Sequence, residues 1–289
     1  MTWFAFDAFA CIDWSGARGD RLRGIAVAEC EKGEGAPQLV APPRERWSRQ
    51  DVLDWLIAQC GRRILIGLDL SSSLPFADEE AFFPGLADAP TDARSLWAYV
   101  NGRSGTEPHF EVTQFVSDHA PYFRVGDQTG VLFQTTGNGR IRQTDIAARS
   151  GGVRPCSSFN LVGASQVGRS SLTGMRVLHR LAGRIPFWPF DDVPTTGALL
   201  VEIYTSIAAR RAGVTGGTKL RTIEALNRAL ASPAIAAGPV AGGGAIDDHR
   251  SDALLTAAWL RRAAEDSALW HPANMAPVRL TEGWTFGVP

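Results

Sequence analysis

Phe9-Ala10-Cys11-Ile12-Asp13-Trp14-Ser15-Gly16-Ala17 is an apolar run that ends on an acid and then turns. A run apolar on both faces marks a strand in the middle of a sheet. The expected strand covers Phe4 to Trp14, and Ser15 to Asp20 is a turn. A second run, Ile64-Leu65-Ile66-Gly67-Leu68, ends the same way on Asp69 and leads into Leu70-Ser71-Ser72-Ser73. Leu199-Leu200-Val201 runs into Glu202 and then Ile203-Tyr204. Asp252 stands in Asp247-Asp248-His249-Arg250-Ser251-Asp252-Ala253-Leu254-Leu255, where a helix should begin. An acid inside a buried strand costs several kcal/mol unless it is paired, hydrogen-bonded or bound to metal. Three at strand positions and one on a helix suggest a shared site for divalent metal.

Working outward, Leu22–Cys30 and Pro37–Ala41 read as two more strands, which make a meander with the first. Ser48 followed by Asp51 is a variant capping box, and Val52, Leu53, Leu56 and Ile57 then carry helical spacing up to Gly61. Arg63–Leu70 is the fourth strand and Leu199–Thr205 the fifth. Strand-strand-strand-helix-strand, with acids ending strands one and four, is the opening of a ribonuclease H-like fold. The expectation is one α/β domain: a mixed five-stranded sheet flanked by helices, with a large insertion after the fourth strand. Residues 1–75 and 196–289 form the core, and 76–195 the insertion. That stretch is too long for a bare loop. Asp92–Asn101 and Ala164–Arg184 look helical, and the whole is expected to build a wall or lid over the site. Lys219–Ala231 and Asp248–Glu265 read as helices, and the tail Arg279–Val288 as a terminal hairpin or edge strand.

Composition sets bounds on these readings. A chain of 289 residues suits one large domain, and 45% hydrophobic with 20% charged residues is ordinary for a soluble protein. No apolar run approaches the roughly 20 residues that span a bilayer. Met1–Asp7 lacks a basic n-region, so no signal peptide and a cytoplasmic location are expected. Cys11, Cys30, Cys60 and Cys156 are scattered without a C-x-x-C pair, which reads as reduced, mostly buried thiols and gives zinc no support. Net charge is −1, so the chain as a whole does not signal a polyanion partner. Locally it differs. Between Gln128 and Phe190 there are eight arginines, at 140, 142, 149, 154, 169, 176, 180 and 184, and one acid, Asp145. This Arg140–Arg184 stretch is a candidate basic surface for DNA or RNA.

Mg²⁺ and Mn²⁺ prefer carboxylate oxygens. Two such ions roughly 3.5–4 Å apart can activate a water and stabilise the leaving oxygen in phosphodiester hydrolysis. Adjacent central strands can place Asp13 and Asp69 side by side, to bridge the ions. Asp248, Asp252, Leu255 and Trp259 share one helix face, so Asp252 turns inward with the two apolar residues. Glu202 and Asp248 are further candidate ligands, and His249 a candidate proton shuttle or water-orienting group. Structural alternatives stand beside each. Asp13 can bond to the Ser15-Gly16 turn amides, and Asp69 to Ser71 and Ser72. Glu202 can pair with Arg210 or Arg211. Asp247 or Asp248 can cap the helix. Trp14 is read as packing.

Cys11-Ile12-Asp13-Trp14-Ser15-Gly16-Ala17, Gly67-Leu68-Asp69, Val201-Glu202-Ile203-Tyr204 and Asp248-His249-Arg250-Ser251-Asp252-Ala253-Leu254 together resemble a known family. It is the family of predicted RNase H-like nucleases of the domain of unknown function 429. The tail Glu282-Gly283-Trp284-Thr285-Phe286-Gly287-Val288 is also similar to that family's ending. The resemblance covers the core at both ends and weakens across 76–195. It implies a ribonuclease H-like fold and two-metal phosphodiester cleavage. The last helix is similar to that of Holliday-junction resolvases, with His249 in place of an acid. Two other readings remain open. An actin-like or sugar-kinase-like phosphotransferase would use Ala241-Gly242-Gly243-Gly244 as an adenosine loop. A non-catalytic nucleic-acid-binding module would use the arginine block.

Overall fold

Ala8–Asp13 (β1) is buried along its whole length and lies inside the sheet. In the computed structural model, residues 6–134, 139–163, 167–215 and 217–289 are described. Phe4 and Ala5 of the expected first strand, and residues 164–166 of an expected helix, lie outside them. The other strands are β2 (Ala26–Glu31), β3 (Gln38–Leu39), β4 (Ile64–Asp69), β5 (Arg124–Val125), β6 (Gln128–Thr129), β7 (Phe187–Trp188) and β8 (Leu199–Glu202). The α-helices are α1 (Arg49–Ala58), α2 (Ala93–Arg103), α3 (Thr113–Asp118), α4 (Val131–Gln134), α5 (Gln143–Ser150), α6 (Val167–Leu181), α7 (Thr205–Arg211), α8 (Ile223–Leu230) and α9 (Asp248–Ala263).

The fold is α/β, with a mixed six-stranded sheet in the order β3-β2-β1-β4-β8-β7 flanked by helices. β1 runs antiparallel to β2 and parallel to β4, and β4, β8 and β7 are parallel neighbours. β5 and β6 form a separate hairpin. The sheet therefore has six strands, not five. The extra edge strand, β7, comes from within 76–195. Two residues between Pro186 and Pro189 carry no periodicity, and prolines are tolerated at a sheet edge. Residues 76–195 are thus more than a wall over the site. Their helices α2 and α6 pack with α1 against one sheet face, where Ile12, Ile66 and Leu68 meet Leu56, Trp97 and Leu172. On the other face, Phe9, Cys11, Leu65 and Val201 meet Leu255, Trp259 and Leu260 of α9, with α7 and α8 alongside.

Local signals explain the helix starts. Ser48 and Asp51 close a reciprocal capping box on α1, and Asp92 with Ser95 does so on α2. Asp247 caps α9 by accepting from the Arg250 amide at 2.9 Å. The tail forms no hairpin. Its sheet contact is a single bridge, Glu202 to Thr285, while Trp284 and Phe286 are fully buried. Aromatic burial anchors it where the expectation placed backbone pairing. No helix of the described residues is long and apolar enough to cross a membrane. Among the described residues all four cysteines are free, Cys11 and Cys30 buried and Cys156 exposed.

Gly67 sets how closely α9 approaches the sheet. A Cβ there would sit 2.9 Å from Leu260 Cδ1 and 3.0 Å from Ile203 Cγ2. Gly67→Ala is expected to destabilise the fold by about 1–3 kcal/mol through overpacking. Urea denaturation checks this, and an unchanged midpoint would show that α9 has slack.

Candidate metal centre

The pairing of β1 with β4 puts Asp13 directly opposite Asp69. Residues in register on parallel strands point to the same face. That face is the one carrying Cys11 and covered by α9. Asp252 projects from the second turn of α9 toward the same strand ends, near enough for its charge to act on both strand carboxylates. The structure thus brings Asp13 and Asp69 side by side, with Asp252 nearby.

The electrostatics follow from burial and like charge. Burial pushes Asp13 up to about 6, partly opposed by a hydrogen bond from His249. Burial, and then the neighbouring Asp13 and Asp252 charges, push Asp69 up to about 8. Burial also raises Asp252, against the pull of Lys219. His249 Nδ1 lies 3.3 Å from Asp13 Oδ2, and that hydrogen bond raises the imidazole. Thr205, which opens α7, donates its hydroxyl to Asp69 Oδ2 at 3.2 Å and its amide to Oδ1 at 3.4 Å. Lys219 Nζ meets Asp252 Oδ2 at 2.6 Å.

The alternatives for the strand acids resolve against the turns. Ser15 Oγ accepts from the Ala17 amide, and Ser72 donates to Glu202 rather than Asp69. Trp14 is buried and donates to Thr173, as packing requires.

Glu202 does not belong to this centre. Its partner in register is Leu68, so it points to the opposite face of the sheet from Asp69. There it is fully buried and saturated. Oε1 accepts from Arg142 at 2.6 Å and from Thr285 at 2.6 Å. Oε2 accepts from the Ser72 amide and hydroxyl, both at 2.7 Å, and from Arg142 at 2.9 Å. The expected partners Arg210 and Arg211 are not used. Asp145 closes the cluster, bonded to Arg142 at 3.1 Å and to the Tyr204 hydroxyl. With no lone pair left over, Glu202 is a structural ion-pair partner.

Asp248 is also displaced from the expected shell. It lies one turn before Asp252, where Arg221 pairs with it at 3.0 Å. Among the described residues, no group of three or more His, Cys, Asp or Glu is arranged to hold a metal ion. The donor set as it stands is the strand pair Asp13 and Asp69, with Asp252 held by Lys219. A divalent cation fits that pair chemically, because both carboxylates are raised by burial that a cation would offset. Asp252 can join only by leaving Lys219.

The arginine block divides. Arg140 pairs with Asp78 and Arg142 with Glu202, both buried. Arg169 and Arg176 are buried near Glu111. Half of the expected basic surface is therefore internal. A cavity of about 1120 Å³ opens beside the carboxylates, lined in part by Thr205, Lys219 and Asp252. Arg149 and Arg154 from the block reach it, and Arg210 joins them. Sequence reasoning missed Thr205, Lys219 and Arg210 as neighbours of the site. One signal was present: Lys219 is one of two lysines in a chain with 27 arginines.

The raised carboxylates make a stability prediction. A carboxyl whose folded value lies above its unfolded one stabilises the fold while both states hold the proton. That stabilisation is lost as pH rises toward the folded value. For Asp69 the window runs from the ordinary carboxylate range, about 4, to about 8. Asp69→Asn is therefore expected to stabilise the metal-free protein by about 1–3 kcal/mol at pH 9, and less at pH 5. Thermal melts in EDTA at the two pH values check this. Destabilisation at pH 9 would contradict it.

No protein-family model matches the chain, and neither does any curated protein or solved structure.

Proposed function

We propose that this chain is a metal-dependent nuclease of ribonuclease H-like build, which hydrolyses phosphodiester bonds at the Asp13–Asp69 pair. The observation that carries the reading is that pair, in register on parallel inner strands and raised by burial. Two buried carboxylates in register repel each other unless a proton or a cation is shared between them, and a divalent metal supplies that cation. The strand order, with β2 antiparallel beside β1 and α9 packed along both strands on the face that carries the pair, supports the fold-level likeness.

Asp13 and Asp69 would hold Mg²⁺ or Mn²⁺, with Asp252 completing the set. When bound, the metal lowers the pKa of a coordinated water and stabilises charge on the departing oxygen. The chain's own groups do the rest. Thr205 orients the Asp69 carboxylate through two hydrogen bonds. His249, hydrogen-bonded to Asp13 and open to solvent, can exchange a proton at Nε2. Lys219, once Asp252 is engaged elsewhere, presents its ammonium to a phosphate oxygen.

The test is cleavage of single- and double-stranded oligonucleotides with Mn²⁺, comparing wild type with Asp13→Asn. Cleavage that survives in the variant would sink the reading. The phosphotransferase alternative gains no support from the fold, since Ala241–Gly244 does not line the cavity beside the carboxylates.

A further inference from the structure

We infer that the cavity beside the carboxylates binds the sugar-phosphate backbone of a nucleic-acid strand by charge, without reading its bases. This rests on the proposed nuclease reading and deepens it by naming how substrate is held. Four cations line the cavity: Arg149 and Arg154 around the end of α5, Arg210 on α7 and Lys219 before α8. Asp252 is the one acid among the lining residues, and Lys219 already neutralises it. The excess is therefore three positive charges in a concave site. Its volume, about 1120 Å³, exceeds what a single small ligand needs.

The uncharged lining favours a phosphate reader over a base reader. Strand-binding sites that grip bases use aromatic faces. Here the lining includes Val153, Pro155, Ala209 and Val214, with no aromatic side chain. Phosphate contacts position a strand without carrying sequence information. The wall is also locally built for this. Arg210 donates to the Gly152 carbonyl, and a Cβ on Gly152 would lie 2.7 Å from Arg210 Nη1. Gly152 has a φ of +77°, a conformation glycine adopts freely. Arg210 thus fixes the loop that carries Arg154. Among the described residues, Arg149 and Arg154 have no carboxylate partner. Both are exposed at the mouth.

The test uses fluorescein-labelled dT12 and dA12 in EDTA, so that no cleavage occurs, with anisotropy read from 25 to 200 mM salt. The variants are Arg149→Ala/Arg154→Ala and, as a charge reversal, Arg154→Glu. Both positions are on the surface, and a thermal melt confirms folding. Wild type is expected to bind dT12 and dA12 within about threefold of each other, as charge-only contact requires. The double variant is expected to bind about tenfold more weakly, and the salt slope to fall by about 0.7 for each arginine removed. Thymidine monophosphate is expected to compete poorly. Unchanged affinity in both variants would overturn the inference. So would a strong preference for one base, or displacement by the mononucleotide at equal concentration. A Mn²⁺ titration of the same proteins in EDTA-free buffer keeps the two readings apart. Loss of strand binding with metal binding intact bears on the arginines alone. Strand binding without metal binding removes the nuclease reading and leaves the cavity assignment standing.

Discussion

Arg142→Met is expected to lower stability by about 3–5 kcal/mol at pH 8, the cost of leaving buried charge unpaired. Arg142 is fully buried and is the cation shared by Glu202 and Asp145, themselves fully or almost fully buried. Removing it leaves two carboxylates facing each other with only hydroxyl and amide donors. In the wild type, burial would raise Glu202, but Arg142 and the surrounding donors hold it below the ordinary carboxylate range. That depressed value contributes stability above the unfolded value, and the contribution is lost as pH falls through the folded one. In the variant the same carboxyl takes up a proton readily. The gap between wild type and variant should therefore narrow as pH falls from 8 toward 4. Glu202→Gln should cost less, because Arg142 keeps Asp145. Chemical denaturation at two pH values checks both. A loss under about 1 kcal/mol for Arg142→Met, far below the usual cost of breaking a buried pair, would mean the cluster is solvated in solution.

Asp13→Asn is expected to reduce phosphodiester cleavage by about 10³-fold or more. That corresponds to about 4 kcal/mol of lost transition-state stabilisation, within what a polarising metal supplies. The substitution keeps shape and removes one charge, so folding should survive. His249→Gln should have a smaller effect, since the imidazole is exposed and water can replace it in proton exchange. The two variants together separate a residue that holds metal from one that moves protons. Rates under matched Mn²⁺ concentrations, with folding confirmed by melting, make the comparison. Equal losses at both positions would contradict this division of roles.

What could be read in advance followed the physics of single elements. Asp13 and Asp69 each end an uninterrupted apolar run, and an acid there cannot be ignored. Asp252 shares its helix face with Leu255 and Trp259, so its direction was legible from spacing alone. Glu202 looked equivalent and is not. Leu199-Leu200-Val201 is apolar on both faces, so nothing in the sequence shows which way Glu202 points. Only its register with Leu68 does, and register is a property of two strands. Its partner Arg142 lies 60 residues away, in a stretch without clear periodicity. The arginine block failed for a related reason. A local lack of acids suggests a basic surface, but Arg140 and Arg142 find Asp78 and Glu202 from outside the block. Edge strand β7 was missed because two residues are too few to show a period.

The carboxylate pair is the centre of this account, and calorimetry with Mn²⁺ at pH 7 tests it most directly. Wild type, Asp13→Asn and Asp69→Asn would each be titrated in two buffers of different ionisation enthalpy. Burial and the neighbouring Asp13 and Asp252 charges raise Asp69, so a metal that takes up its carboxylate displaces a proton from it. The expected result is saturable binding by wild type with release of up to about one proton, lost in both variants. A folded wild-type protein that gives no binding heat in either buffer, or binding that persists unchanged in both variants, would contradict the account.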